Sequence, residues 1–317
     1  MILYIRKILM GGRIVEIISN NKHLAVDRGF LTIDEGRVER GRIPLDTIDA
    51  LILNAYGLTY TNNMLVRLAD EKIPVVICGN NHLPKAFLLP IDGYYRQGAT
   101  MDAQVEASTT LKKRLWQQIV KNKISQQASL ISFVGENPAP LIHLTQKVRS
   151  GDSDNCEAQA SRIYWPLLFG NQFRRDRFQA GINSLLNYGY TILRSIVIRT
   201  IVCAGIHPTM GLFHKNILNP MRLGDDLMEP FRPFVDMLSY QLVKSGRNNL
   251  SPDEKKCFVE MLALNLPARR GATEMRYCIQ SLAVSLAKIF LNEKKDLELP
   301  KIMKKTDWVK LQDAKRL

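Results

Sequence analysis

Cysteine is sparse in this chain and shows no pattern. Cys78, Cys156, Cys203, Cys257 and Cys278 are odd in number, far apart, and include no Cys-x-x-Cys pair. That excludes a zinc ribbon and a disulfide framework, and leaves free thiols in a reducing cytoplasm as the expectation. Long apolar runs are missing too. The opening Met1-Ile-Leu-Tyr-Ile-Arg-Lys-Ile-Leu-Met10 is interrupted by Arg6 and Lys7. It is too short for a membrane span and lacks the charged-then-apolar layout of a signal peptide, so it reads as the start of the first strand region of a cytoplasmic protein. No Ser/His/Asp or Cys/His set points to a covalent enzyme intermediate. No helix-turn-helix or zinc module is visible to read DNA sequence. Internal repeats and low-complexity segments are absent. Acidic charge is in deficit, with 30 Asp+Glu against 44 Lys+Arg, a net of +14.

That positive excess is uneven. Residues 1–100 hold 12 Lys+Arg against 10 Asp+Glu, a net of +2, which leaves +12 for residues 101–317. A field of that sign draws polyanions and makes their binding salt-dependent, which favours nucleic acid as partner over a merely soluble surface. With 317 residues the chain exceeds the usual single core, so two domains are expected. Its 46% hydrophobic content is ordinary for a folded protein.

The first hundred residues have strand periods. Arg13–Ile18, Phe30–Ile33, Arg42–Leu45, Ile48–Leu53 and Ile73–Cys78 are short Ile/Val/Leu-rich runs, parted by turn residues such as Asp27-Arg28-Gly29 and Asp34-Glu35-Gly36. One helix is expected at Asn62–Glu71. His23 and His82 fall at expected turns without catalytic neighbours. Ile91–Gly98 reads as a linker, after which the period becomes helical. Leu111, Leu115, Trp116, Ile119 and Val120 form one helix face, opposite Lys112, Lys113, Arg114, Gln117 and Lys121. Pro138-Ala-Pro140 starts another helix. Further helices are expected near Asn155–Leu168, Phe178–Ala204, Leu227–Lys244, Asp253–Asn265 and Glu274–Asn292. The expected fold is therefore α+β in two domains: a small β-rich domain at 1–95 and a larger all-α domain at 96–292. A loosely ordered basic tail is expected at 293–317.

Chemistry concentrates in the helical part. His214 closes Gly211-Leu-Phe-His214, and Asp225, Asp226 and Glu229 follow within fifteen residues. An imidazole with carboxylates suits a divalent ion that works on phosphates. Asp226 and Glu229 are three apart and share a helix face, where two like charges need neutralising. A divalent cation would serve, as would pairing with Arg222 or Arg232, or capping by Asp225 or Asp226. Pro230 places the site at a kink or helix start. Glycines at 205 and 211 and Pro208 put His214 in a turn, where a capping role is the alternative; His207 is read as a turn residue. Glu157 follows Ser153, Asp154 and Asn155, any of which would cap a helix, so its own sequence argues only for helix-start stabilisation. The tyrosines of Asn187-Tyr-Gly-Tyr190 read as packing anchors. Arg174, Arg175 and Arg177 lie beside Phe173 and Phe178, a pairing that suits phosphate and base contact or a charged connecting loop.

Four blocks in fixed order carry a family resemblance: Glu157-Ala-Gln-Ala-Ser-Arg-Ile-Tyr-Trp165 with Leu168-Phe-Gly170, Asn183-Ser-Leu-Leu-Asn-Tyr-Gly-Tyr190, Gly205-Ile-His-Pro-Thr-Met-Gly-Leu-Phe-His214, and Asp226-Leu-Met-Glu-Pro-Phe-Arg-Pro233. Together they resemble the CRISPR-associated spacer-acquisition integrase, the larger universal adaptation protein, in its type II-like form. Motif agreement runs from about Asn155 to Leu242. The resemblance implies a metal-dependent DNA integrase and endonuclease with Mg²⁺ or Mn²⁺ held by Glu157, His214 and Glu229. Asp226 then either holds a ligand in place from behind or is an alternative ligand, and Arg174, Arg175, Arg177 and Arg232 are candidate DNA contacts. It also implies double-stranded DNA fragments and CRISPR leader-repeat DNA as substrates. The β domain would build a homodimer, and pairs of dimers would bridge the small universal adaptation protein, away from any membrane. A stand-alone nuclease using the same triad, and a non-enzymatic basic DNA scaffold, are the competing readings.

Overall fold

In the computed structural model, residues 13–79, 84–91, 96–269 and 271–313 are described. The expected opening strand region at residues 1–10 and the turn at His82 lie outside them, as do residues 92–95 of the expected linker. The chain divides into two compact units, Met1–Tyr95 and Arg96–Leu317.

The first unit pairs two four-stranded sheets. Strands β1 (Arg13–Ile17), β2 (Lys22–Asp27), β3 (Phe30–Glu35), β4 (Val38–Pro44), β5 (Ile48–Leu53), β6 (Leu58–Tyr60), β7 (Val75–Cys78) and β8 (Pro84–Leu88) follow in chain order, with helix α1 (Asn62–Asp70) between β6 and β7. One sheet runs β4-β3-β2-β6 and the other β1-β5-β7-β8. Strand β5 lies parallel between β1 and β7, with both faces of its apolar residues 50–53 covered. Positive φ at Arg28 and Gly29 turns the chain from β2 into β3. The Thr61 hydroxyl accepts from the Met64 N–H and caps α1. Leu24, Leu31, Ile48, Leu51, Met64, Leu68 and Val75 meet in the core. His23 sits within β2 rather than in a turn, its Nδ1 2.8 Å from the Thr59 hydroxyl.

The second unit is mainly helical: α2 (Gln97–Glu106), α3 (Thr109–Phe133), α4 (Ala139–Lys147), α5 (Cys156–Phe169), α6 (Ile182–Cys203), α7 (Arg222–Met228), α8 (Arg232–Lys244), α9 (Pro252–Glu260), α10 (Met275–Phe290) and α11 (Lys305–Asp313). Apolar α6 is buried along most of its length and packs against α7, α8, α9 and α10. Gly189 makes the α6 contacts close: a Cβ there would lie 2.5 Å from Val235 Cγ1 and 2.7 Å from Phe258 Cδ1.

Two expectations need correcting. The unit is not all helix, because β9 (Asn265–Ala268) and β10 (Gly271–Glu274) form an antiparallel hairpin. The helix expected through Asn265 ends at Glu260, since Pro267 cannot donate within a helix and Gly271 takes φ 99°. Nor are residues 296–308 of the expected tail loosely ordered. Gln118, Asn122, Gln126 and Ser129 recur along one side of α3 and bond residues 296–308 as they pass. Gln118 takes the Leu297 N–H and donates to Asp296, Asn122 donates to the Pro300 carbonyl, and Gln126 bonds both Lys301 and Met303. Trp308 of α11 is fully buried, with its indole N–H 2.9 Å from Ser129 Oγ. Extended apolar residues such as Leu297 and Met303 carry no helical period, which is why this segment looked unstructured in sequence.

Candidate active site

Glu157 enters the site from the first turn of α5. The capping residue is Asp152, not Ser153, Asp154 or Asn155. Positive φ at Gly151, Asp152 and Asn155 folds the loop back, so the buried Asp152 carboxylate accepts from the N–H groups of Cys156 at 2.8 Å and Glu157 at 3.0 Å. The Glu157 side chain is thereby released from capping and reaches Lys123 Nζ.

His214 is held by Asp226 from the far side of a loop. The fully buried Asp226 accepts from the backbone N–H of Leu212 at 2.6 Å, Phe213 at 3.2 Å and His214 at 3.3 Å, and its Oδ1 lies 2.6 Å from His214 Nδ1. Gly211 permits this closure, since a Cβ would stand 2.9 Å from Asp226 Oδ2. Trp116 of α3 stacks on Phe213 with ring centres 4.4 Å apart and meets His214 edge-on at 5.7 Å. The hydrogen bond that His214 donates to Asp226 outweighs burial and raises the His214 pKa. Among the described residues no hydrogen bond reaches Nε2, so this nitrogen is the open one. A carboxylate on Nδ1 with Nε2 free is the arrangement of a histidine prepared as a metal ligand.

Glu229 begins the 3-10 turn Glu229–Phe231 between α7 and α8, so the helix expected across Leu227–Lys244 is broken where Pro230 demands it. Glu229 is buried. Its Oε1 is 2.9 Å from Arg232 Nε and its Oε2 is 2.6 Å from Lys123 Nζ. Burial works against its charge, but Arg232 and Lys123 prevail and lower its pKa. Arg232 is committed to this carboxylate and to the Tyr190 ring face, 4.7 Å from its centre. The other pairing anticipated for the acidic cluster does not form: Arg222 donates to the Thr209 carbonyl at 2.8 Å. Asp225 pairs with Arg194 at 2.9 Å.

Lys123 escaped the sequence reading. It stands on the buried stripe of α3 with Trp116, Ile119, Val120 and Gln127, and its ammonium touches both Glu157 and Glu229. Burial opposes its charge, yet Glu229 and Glu157 hold its pKa above the usual lysine range. A lysine in register with a core-facing stripe was the available signal.

Behind this cluster the buried Asp236 of α8 accepts from Tyr164 at 2.8 Å and from Tyr190. Burial lifts its pKa to about 6 although both hydroxyls favour the carboxylate. Tyr190 is thus an anchor with its hydroxyl on a polar partner, as expected. Of the three arginines after α5, Arg175 is half-buried and bonds Asn183 and Asn187 at 2.9 and 2.8 Å, while Arg174 and Arg177 face solvent with the exposed Phe178. His207 is a loop residue whose Nδ1 lies 3.3 Å from the Thr209 N–H.

Among the described residues no three His, Cys, Asp or Glu side chains converge as they stand on one metal position. Lys123 occupies the space between the two glutamates instead. The donor set nonetheless fits a divalent ion. It comprises two carboxylates already gathered about one cation, an oriented imidazole, and a buried Glu229 Oε2 that accepts no hydrogen bond of regular geometry despite its ion-pair contact with Lys123.

The family model described as CRISPR associated protein Cas1 matches residues 15–265. A CRISPR-associated endonuclease Cas1 from Neisseria meningitidis serogroup C (strain 8013) is 35% identical over 292 residues, covering 90% of this chain and 95% of that protein. Among solved structures, a casposase bound to integration product has a TM-score of 0.77 at 19% identity, covering 96% of this chain and all of that one. A Cas6-RT-Cas1–Cas2 complex gives 0.74 at 18% identity, over 92% of this chain and 36% of the other. These structural likenesses establish a shared fold.

Proposed function

The chain belongs to the CRISPR-associated Cas1 family, and from that premise we propose that it is a divalent-metal-dependent DNA integrase of CRISPR adaptation with associated endonuclease activity. The observation that carries this reading is the meeting of Glu157 and Glu229 on a single cation beside an oriented His214. Those three residues would hold Mg²⁺ or Mn²⁺, with Asp226 fixing the imidazole from behind rather than binding the ion, because its oxygens are taken by the loop and the ring. The bound ion would polarise the scissile phosphate and offset charge on the leaving 3′ oxygen.

The residues of the chain supply the rest. Glu157, Glu229 and His214 come from an α5 turn, a 3-10 turn and a loop, all braced on α3. A site braced this way holds an attacking 3′ hydroxyl in line and supplies rate through positioning. Lys123 and Arg232 add positive charge where a phosphodiester must approach. Water in place of the 3′ hydroxyl gives hydrolysis on the same residues, in keeping with the endonuclease name of the Neisseria relative. The solved complex with Cas2 supports assembly with a small protein of that kind, and the β-rich unit is assigned to homodimer formation. Among the described residues no helix is long and apolar enough to cross a membrane.

A strand-transfer assay tests the reading. The protein, with and without a Cas2 partner, is incubated with a labelled short duplex and a supercoiled plasmid carrying a CRISPR leader and repeat, in Mn²⁺ or EDTA. Joined product should require metal and fall by about 10²-fold or more in Glu157→Gln, His214→Ala and Glu229→Gln. Cleavage without joining, even with the partner, would make the chain a nuclease alone. No metal-dependent reaction on any DNA would make the acidic cluster structural.

A further inference from the structure

Glu157 and Glu229 are balanced by two cations without any metal. Glu157 and Glu229 bring two negative charges, and Lys123 and Arg232 bring two positive ones. Of the flanking acids, Asp225 is matched by Arg194, while Asp226 is held by His214 and three backbone N–H groups and Asp236 by two tyrosine hydroxyls. The Lys123 and Glu229 side chains are only 7% and 5% exposed, so an uncompensated charge here is costly. A divalent ion entering between the glutamates would add two positive charges to these four balanced groups. It would also take both partners from the Lys123 ammonium, whose stem is fixed on the core face of α3.

Resting on the metal-site reading above, we propose that Lys123 is a resident counter-ion standing where the divalent ion binds, and that it passes to a substrate phosphate when the ion enters. One ammonium then couples metal binding to DNA binding. In the metal-free protein Lys123 keeps the two glutamates gathered and blocks the ion. Phosphodiester groups provide the negative charge that the filled site lacks, and they give the displaced ammonium a new partner. By linkage, DNA must raise metal affinity as much as metal raises DNA affinity. Lys123 is on this account a positioning residue that sets when the site can fill.

Mn²⁺ binding to the full chain, followed by the electron paramagnetic resonance of the free ion, tests this without any turnover. The probes are Mn²⁺ alone and Mn²⁺ with a short DNA duplex, with a duplex-only blank. The duplex should tighten Mn²⁺ binding to the wild type by about tenfold or more. Lys123→Met and Lys123→Gln should bind Mn²⁺ more tightly than the wild type without DNA and gain little from it. Circular dichroism checks that each variant is folded. Both should melt lower than the wild type without metal and recover with Mn²⁺, because their glutamates lack a cation until the ion arrives.

An unchanged wild-type affinity in the presence of duplex overturns the proposal. So do folded Lys123 variants that bind Mn²⁺ as the wild type does. Glu157→Gln and Glu229→Gln separate the two levels of the argument. If they retain wild-type Mn²⁺ binding, the metal-site reading itself fails. If they lose it while the Lys123 variants match the wild type, only the lysine inference fails.

Discussion

Asp236 shows how far one buried side chain can depart from its ordinary behaviour. It lies beneath the site, takes hydroxyl hydrogens from Tyr164 and Tyr190, and has its pKa lifted to about 6 by burial. In the unfolded chain an aspartate titrates near 3.9. The folded state therefore holds this proton more tightly, and the associated stability is full below about pH 4 and is lost as pH rises through about 6. Asparagine mimics the protonated form. Urea denaturation at pH 5 and pH 7.5 should find Asp236→Asn gaining on the wild type by about 1 kcal/mol or more at the higher pH. A difference that does not change with pH would mean that the carboxylate is ionised throughout.

At the level of elements, α3 carries most of the organisation. Its apolar stripe enters the core, Ser108 caps its start by accepting from the Leu111 N–H, and Lys123 reaches from the same stripe to the glutamates. Its polar side bonds the C-terminal segment from Asp296 to Trp308. Trp308 contacts Phe133 and Phe234, with ring centres 6.3 and 5.2 Å away. Removing this ring leaves a large cavity and strands the Ser129 hydroxyl contact. Trp308→Ala should cost about 3–5 kcal/mol of unfolding free energy, read from the urea midpoint at unchanged slope. A loss under about 1 kcal/mol would mean that α11 does not secure α3.

Across the whole molecule the governing quantity is charge. The net +14 falls almost entirely after residue 100, while Glu157, Glu229 and Asp225 are each paired with a cation. The excess is therefore free to act on a polyanion. Affinity for a DNA duplex should fall by roughly two orders of magnitude or more between 50 and 200 mM salt, measured by fluorescence anisotropy, as expected when several phosphates are contacted. Affinity nearly flat with salt would remove the basic surface from the account.

Local physics was legible in the amino-acid order. Short Ile/Val/Leu-rich runs and turn residues marked the strands β1, β3, β5 and β7 but not β2, and a helical period marked α3 and α6. Pro230 announced the break before α8, and the ordered blocks around Glu157, His214 and Glu229 marked the candidate site through their family likeness. Contacts between distant positions were not legible. Lys123 meets partners 34 and 106 residues away, Asp236 meets Tyr164 from 72 residues away, and residues 296–308 find order only against α3. In sequence Lys123 is one more base among 44 Lys+Arg. Only the packing of α3 against α5 and the Glu229 turn withdraws it from water and makes it the cation of the site. Periodicity and capping depend on neighbours a few residues apart, and the chain order states them directly. Burial and charge pairing depend on what folding brings together, so the tertiary structure decided them.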